Sequence, residues 1–378
     1  MRVAFIDYYS DRSSPHKDPI SIPRALVGEG CSVLLVSRLN VGSPELFGLP
    51  MTDLGSWLSS GLAPESVDCV IAISRFDAKL TPVLRFIKQS HIPLIVKGDT
   101  DGTLGFPLVP NYLRTVPVCS APLNILRQMK WRFPTSVLVS SRLEHIRLAD
   151  LTVYESPGAG ANICEVLNYW GFSNKVESLI NIPNSVSPTY CEGTIRRKKP
   201  GKVVALGRWD DWLTKGSDFM ASIINDAERL GLKLDFVVIG SGSERIKAMV
   251  SPAALRNAEF YPFLDFESAK HQVSDAEIML APSRLESFSL ACAEALCAGA
   301  SLVVTPVESL TYLAGGGLYG TVARDFSAAS IVAALQHETT QWRVGRRRAH
   351  DIAVKWRNDL GERHIGQRWM SAILRIVG

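Results

Sequence analysis

The sequence predicts an α/β protein made of two mostly parallel sheets in tandem, each wrapped by crossover helices. Three observations carry this. Short β-branched or apolar runs alternate with longer amphipathic segments along almost the whole chain, the pattern of strands covered on both faces and joined by helices. The alternation stops once, between residues 184 and 201, in a stretch rich in Pro, Gly, Ser and charge, and then restarts. The 378 residues also exceed one ordinary core, at roughly 150 residues per domain.

In the first half the expected strands are residues 2–6, 32–36, 69–73, 93–96, 151–154 and 179–182, each a run of four or five residues rich in Val, Ile, Leu or other apolar side chains. After the break, residues 203–206, 234–239, 259–262, 277–281 and 301–305 repeat the pattern. From about 341 to 376, Trp342, Ile352, Trp356, Ile365, Trp369, Ile373 and Ile376 recur at helical spacing with arginines between them, so two or three helices end the chain. Two sheets in tandem leave a cleft, and open parallel sheets bind ligands outside the carboxyl ends of their strands. The loops after the strands are therefore where chemistry is expected.

Composition narrows the class of partner. With 46% hydrophobic and 21% charged residues the chain is a globular protein and not a disordered or fibrous one. A net charge of +4 is too mild for a nucleic-acid binder. The charge is uneven: residues 341–378 hold nine Lys/Arg against three Asp/Glu, which leaves the other 340 at −2. Seven cysteines without a C-x-x-C pair argue against a zinc site and a disulfide framework, and so for a reducing compartment. No stretch approaches the ~18 to 20 apolar residues of a membrane span, so a cytoplasmic protein is expected. The run Arg346-Arg347-Arg348 and the basic, aromatic stretch LNILRQMKWRF (residues 123–133) add peripheral contact with an anionic membrane as a second expectation, set against a plain solvated helix face.

Three loops of the second half carry residues with chemistry. GRWDDWLTKG places Gly207 and Arg208 at a strand end and Lys215 near the next helix, where two cations and a helix N-terminus suit a diphosphate. The alternative is two solvated charges. Next, GSGSER offers Gly240 and Gly242 for close backbone approach to a phosphate or nucleotide, but Arg245 stands where a dinucleotide fingerprint wants its third glycine. Finally APSRLESFSLACAEALCAG holds Glu286 in a loop and Glu294 eight residues on, within a helix. Ser283-x-x-Glu286 is also a capping box by pattern, which would make that carboxylate structural. Glu294, on a helix of Ala, Leu and Cys, is costly to bury without partners. In the first half KGDTDGT sets Asp99 and Asp101 at a strand end, with an Asx turn as the plainer use of either. His16 and Lys17 lie in the first loop, where a surface role is the better reading.

Taken together, GRWDDWLTKG, VVIGSG and APSRLESFSLACAEALCAGASLVVTP resemble the retaining glycosyltransferases of family four, which have the GT-B fold. The family's E-x7-E pair matches Glu286 and Glu294, and its diphosphate-holding Arg and Lys match Arg208 and Lys215. INIPNSVSP and RLEHIRLADLTVYES add weaker similarity, and the first 120 residues add little. The resemblance implies an acceptor-binding domain over 1–190, a donor-binding domain over 191–361, and a final segment 362–378 packing back on the first. It further implies a nucleotide-diphosphate sugar donor (a UDP- or GDP-sugar), with a glycan, lipid-linked molecule or small molecule as acceptor. Glu294 would hold ribose hydroxyls and Glu286 those of the donor sugar. Backbone N–H groups of Phe288, Ser289 and Leu290 would cap the phosphates, and Arg208 and Lys215 would stabilise the leaving diphosphate with no metal and no other cofactor. Three departures stand out. The Arg-to-Lys spacing is longer by two and brings in Trp209 and Trp212 as stacking surfaces or local core; Ser289 replaces a glycine; and Asp99 or Asp101 stands near the position of the family's usual first-domain histidine. A nucleotide-sugar 2-epimerase on the same fold and a non-catalytic nucleotide-sugar-binding subunit are the alternatives.

Overall fold

A computed structural model describes residues 1–8, 18–38, 45–59, 66–76, 78–104 and 136–378. His16, Lys17 and the stretch 123–133 lie outside the described residues. Those of 1–187 join 360–378 in one compact unit, and 188–359 form the other.

The first unit holds an eight-stranded sheet in the order β3-β4-β2-β1-β5-β6-β7-β8. Its strands are Arg2–Asp7 (β1), Ser32–Ser37 (β2), Glu45–Leu46 (β3), Leu49–Asp53 (β4), Cys69–Ser74 (β5), Leu94–Gly98 (β6), Leu151–Tyr154 (β7) and Leu179–Asn181 (β8). All neighbours are parallel except the β3–β4 pair. Six of these strands fall where the apolar runs predict them. β3 and β4 do not announce themselves, because ELFGLPMTD interrupts its apolar residues with Gly and Pro. Both faces of the sheet are covered, and one is closed by the last helix of the chain, Glu362–Val377 (α14 in chain order). Ile365, Trp369, Ala372 and Ile373 of that helix are buried in the cluster that also holds Val3, Phe5, Ile22 and Leu26. A Cβ on Gly366 would lie 2.7 Å from the carbonyl oxygen of Ala25, so glycine sets how closely this helix meets Asp18–Gly28 (α1). Arg24 and Glu362 form an ion pair between the same two helices.

The second unit holds a six-stranded parallel sheet in the order β11-β10-β9-β12-β13-β14: Lys199–Leu206 (β9), Asp235–Ile239 (β10), Ala258–Tyr261 (β11), Ala276–Ala281 (β12), Ser301–Val304 (β13) and Gly320–Val322 (β14). Val203, Ala205, Phe236, Val238, Ile278, Leu280 and Val303 make its core with the covering helices. β14, three residues long, is too short to show as a pattern.

The break at 184–201 is more ordered than its composition suggests. Asn184, Ser185, Val186 and Ser187 are buried, the amide of Val186 donates to the Leu360 carbonyl, and Lys199 already opens β9. Likewise Arg347 is not a solvated charge: its guanidinium donates to Glu338 at 2.6 and 2.9 Å and to the carbonyls of Gly317 and Leu318, while Arg346 and Arg348 are exposed. No helix among the described residues is long and apolar enough to cross a membrane.

Candidate functional site

In the second sheet the first strand, β9, has β10 on one side and β12 on the other. Connections leaving the carboxyl ends of β9 and β12 therefore diverge, and a crevice opens between them. Two of the loops singled out by sequence, residues 207–216 and 282–289, leave from those two strand ends.

Lys215 Nζ donates to Glu286 Oε1 at 2.7 Å, and Ser283 Oγ donates to the same oxygen at 2.7 Å. Both charged side chains are largely covered, 19% and 11% exposed. Ser309 Oγ donates to the Glu286 carbonyl at 3.0 Å and fixes the backbone that presents it. Ser283-x-x-Glu286 is thus no capping box: the helix Leu290–Cys297 (α10) starts beyond it, and the serine bonds the carboxylate itself. Of the two expected cations, the lysine is neutralised by Glu286. Arg208 is exposed, and no carboxylate among the described residues pairs with it.

A residue that sequence reasoning passed over holds the two loops together. Arg284 is 1% exposed and makes a bidentate pair with Asp218, 2.6 Å on each arm, in the first turn of Ser217–Arg229 (α7). It also donates to the Leu213 carbonyl at 3.0 Å and lies 3.9 Å from the ring centroid of Phe219. One planar cation therefore clamps the loop that carries Glu286 to the loop that carries Lys215. The signal available in sequence was an arginine amid the mostly uncharged run APSRLESFSL, one residue from Ser283.

The glycines serve the same packing. Gly216, at φ 68°, would carry a Cβ only 2.0 Å from the Pro282 carbonyl oxygen, so no other residue fits where the two loops touch. A Cβ on Gly240 would meet the Gly207 carbonyl oxygen at 1.9 Å, and one on Gly242 the backbone N of Asp210 at 2.7 Å. The close approach that Gly240 and Gly242 permit is to the β9 loop itself. Trp209 is core: 2% exposed, its Nε1 donates to the Ile239 carbonyl at 2.9 Å. Trp212 is half-buried, and Arg245 stacks 3.9 Å from its centroid.

α10 opens onto this crevice without a side-chain cap. Its first N–H groups lack intrahelical acceptors and carry the positive end of the helix dipole. Ser289, the N-cap, sits at φ 73°, a conformation that glycine adopts freely and serine does not, while Phe288 is fully buried and anchors the turn. Glu294 lies one turn further along. No hydrogen-bond donor among the described residues reaches it, and burial alone pushes its carboxyl up to about 8. Its electrostatic neighbours are Tyr190 and Cys297. A half-buried carboxyl to which no described residue donates, beside an uncapped helix start, is an arrangement for binding hydroxyl donors and anions together.

In the first unit, Asp99 follows β6, accepts a bond from Arg75 Nε at 3.1 Å and stays partly exposed. Asp101 makes an Asx turn: its Oδ1 accepts from the Thr103 amide at 3.2 Å and the Thr103 hydroxyl at 2.6 Å. Of the two, Asp99 keeps a carboxylate that among the described residues is held by an exposed arginine alone. Deeper in the same unit, Lys97 at the end of β6 and Glu155 after β7 form a fully buried ion pair.

Residues 200–338 match the family of glycosyl transferases group 1. A curated relative, an uncharacterised 41.2 kDa protein from the cps region of Klebsiella pneumoniae, is 25% identical over 149 residues. That alignment spans 39% of this chain and 40% of the relative's length. Among solved structures, sucrose-phosphate synthase from Thermosynechococcus elongatus is 14% identical with a TM-score of 0.69, covering 99% of this chain and 98% of that one. HepE from Anabaena, solved in complex with UDP, is 12% identical with a TM-score of 0.70, covering 99% and 100%. WaaG, a glycosyltransferase of lipopolysaccharide biosynthesis, is 16% identical with a TM-score of 0.57 over the full length of both chains. These likenesses establish the GT-B fold, and the family match identifies a glycosyltransferase domain within the second unit.

Proposed function

We propose that the protein is a retaining glycosyltransferase of family four that moves a sugar from a nucleotide-diphosphate sugar to an acceptor hydroxyl without a metal. The observation that carries the reading is the Lys215–Glu286 pair between the ends of β9 and β12, set beside the uncapped start of α10 with a partnerless Glu294 one turn along. In this reading the ribose hydroxyls donate to Glu294, and the N–H groups at Phe288, Ser289 and Leu290 face the phosphates. Glu286 accepts from the donor sugar, which loosens its hold on Lys215. Lys215 and Arg208 then meet the charge that develops on the departing diphosphate, the place where a fixed cation lowers the barrier most. Retention follows if the acceptor attacks the face from which the diphosphate leaves, the diphosphate oxygen taking the acceptor proton. Asp99, in the first unit, is assigned to orienting the acceptor hydroxyl.

A UDP-sugar is the favoured donor. Support comes from structural relatives solved with UDP, UDP-glucose and UDP-2-fluoroglucose. A thermal-shift panel of UDP- and GDP-sugars tests the donor, since a ligand at ~100 times its Kd adds ~2.7 kcal/mol of stability. The reading is lost if none shifts the melting point and Glu294→Ala changes nothing. NMR of the product then reads the anomeric configuration, and an isomerised nucleotide sugar formed without acceptor would mark an epimerase instead. Turnover in EDTA checks metal independence.

A further inference from the structure

A second cavity in the same unit has none of Arg208, Lys215, Glu286 and Glu294 in its lining, and meets the site above only through Tyr190, a neighbour of Glu294. It encloses about 700 Å³ between Pro188–Cys191 (α6), the segment after it, and Phe266–Asp275 (α9), and its lining includes Arg196, Thr194, Lys270, His271, Gln272 and Arg357. Its floor is formed by Ser274 and Ala298, which lie at the amino-terminal end of the sheet, just before β12 and β13. The volume suits a molecule of sugar-phosphate or nucleotide size.

Charge in and under this cavity is out of balance. Asp275, 3% exposed, serves Arg196 at 3.0 Å, Lys199 at 3.1 Å and His271 at 3.6 Å; Glu267 serves Lys270 at 3.1 Å. Arg357 donates to the Cys297 carbonyl, and no carboxylate among the described residues pairs with it. Lys198 is half-buried, and its Nζ donates to the carbonyls of Ser274 and Ala298, both in the cavity lining, at 2.8 and 2.7 Å. Five cations, Arg196, Lys198, Lys199, Lys270 and Arg357, thus have three carboxylates near them, Asp275, Glu267 and, at longer range, Glu277. Burial, with the neighbouring Arg357 and Arg196, pushes the Lys198 ammonium down to about 7, against the pull of Asp275 and Glu277, and burial first, with Lys199 and Arg196 adding to it, lowers Lys202. Cations that repel each other around a roomy cavity lined with guanidinium, hydroxyl and amide donors are what a phosphate group relieves.

We propose that this cavity is a second binding site, distinct from the donor crevice, for a small phosphate-bearing molecule. The phosphate meets Arg196 and Arg357, and the body of the ligand lies along α9. The site is independent of the glycosyltransferase reading, because it shares none of Arg208, Lys215, Glu286 and Glu294.

The test uses the full chain in two backgrounds that remove the donor crevice from competition: wild type saturated with UDP, and Lys215→Ala without it. Inorganic phosphate, pyrophosphate, glucose 6-phosphate and AMP are titrated into each by calorimetry at low salt. At least one is expected to bind with the same affinity in both backgrounds, and the four arms separate a bare phosphate from a sugar-borne or nucleoside-borne one. Arg196→Gln/Lys270→Gln should weaken that binding at least tenfold while UDP binding stays as it was. Arg357→Gln gives the same loss if its melt shows it folded. No binding in either background overturns the proposal, as does binding that the double variant leaves intact or that Lys215→Ala abolishes. If UDP itself fails to bind, the donor reading falls, and the Lys215→Ala titration still decides this one.

Discussion

Donor affinity should depend steeply on pH through Glu294. Burial pushes its carboxyl up to about 8, and apart from Tyr190 and Cys297, both themselves raised by burial, no titratable group among the described residues bears on it. Ribose hydroxyls that donate to this group favour its ionised form, so binding must expel the proton. Apparent affinity then scales with the ionised fraction before binding: about 1% at pH 6 and about three quarters at pH 8.5. The dissociation constant should fall roughly 75-fold across that range, on the order of 2 to 3 kcal/mol at 1.36 kcal/mol per decade. UDP-glucose is the suitable probe, since its diphosphate has no proton to titrate in this interval, and a GDP-sugar replaces it if uridine is not bound. Calorimetry at five pH values gives the slope, and repeating it in buffers of different ionisation enthalpy counts the released proton. Glu294→Gln should bind weakly and without slope. A flat wild-type profile, or an equal slope in Glu294→Gln, would refute the assignment.

The same group has a signature without ligand. Its folded value exceeds the ordinary 4.5, so the folded state holds an extra proton between about 4.5 and 8, and stability falls with rising pH in that window; Glu294→Gln should melt with less of this fall. Lys198 acts in the opposite sense: with a folded value near 7 against an ordinary 10.5, its stability cost fades as pH rises from 7, so wild type should gain on Lys198→Met by on the order of 1 kcal/mol per pH unit up to about 10, read by denaturant titration. Arg284→Ala strands Asp218 and unclamps the two loops, with an expected loss of about 3 to 5 kcal/mol by the same measurement. Arg284→Lys should fold but lower kcat, because an ammonium cannot make the bidentate hold. Lys215→Ala should reduce kcat by about 100-fold or more and weaken the binding of UDP, because the lysine meets the diphosphate once it carries its full leaving charge.

Much of this was legible because parallel strands must be apolar on both faces, and nine of the eleven predicted runs sit within a residue of the observed strands at both ends. The site loops were found for the same reason: once Leu206, Ile239 and Ala281 mark strand ends, Arg208, Gly240 and Glu286 are placed. The clamp was not legible, since Arg284 and Asp218 are 66 residues apart and each reads alone as an ordinary charge. Ser283-x-x-Glu286 satisfied two patterns, and only the start of α10 at Leu290 separates them. Gly240 and Gly242 showed that something approaches closely, but a neighbouring loop and a ligand ask the same thing of a glycine. Lys198 lay in a stretch whose composition suggested an open tether, and its burial depends on carbonyls 76 and 100 residues further on.

The seating of α14 on α1 orders events at the ribosome. The sheet made first cannot finish burying Val3, Phe5 and Leu26 until residues 360–378 have been synthesised, whereas residues 188–359 are one continuous stretch whose strands and covering helices emerge together. Domains ordinarily fold in the order of synthesis. Here the amino-terminal unit must wait with an apolar face uncovered while its successor completes, and the emergence of α14 is the step that lets Trp369 close it.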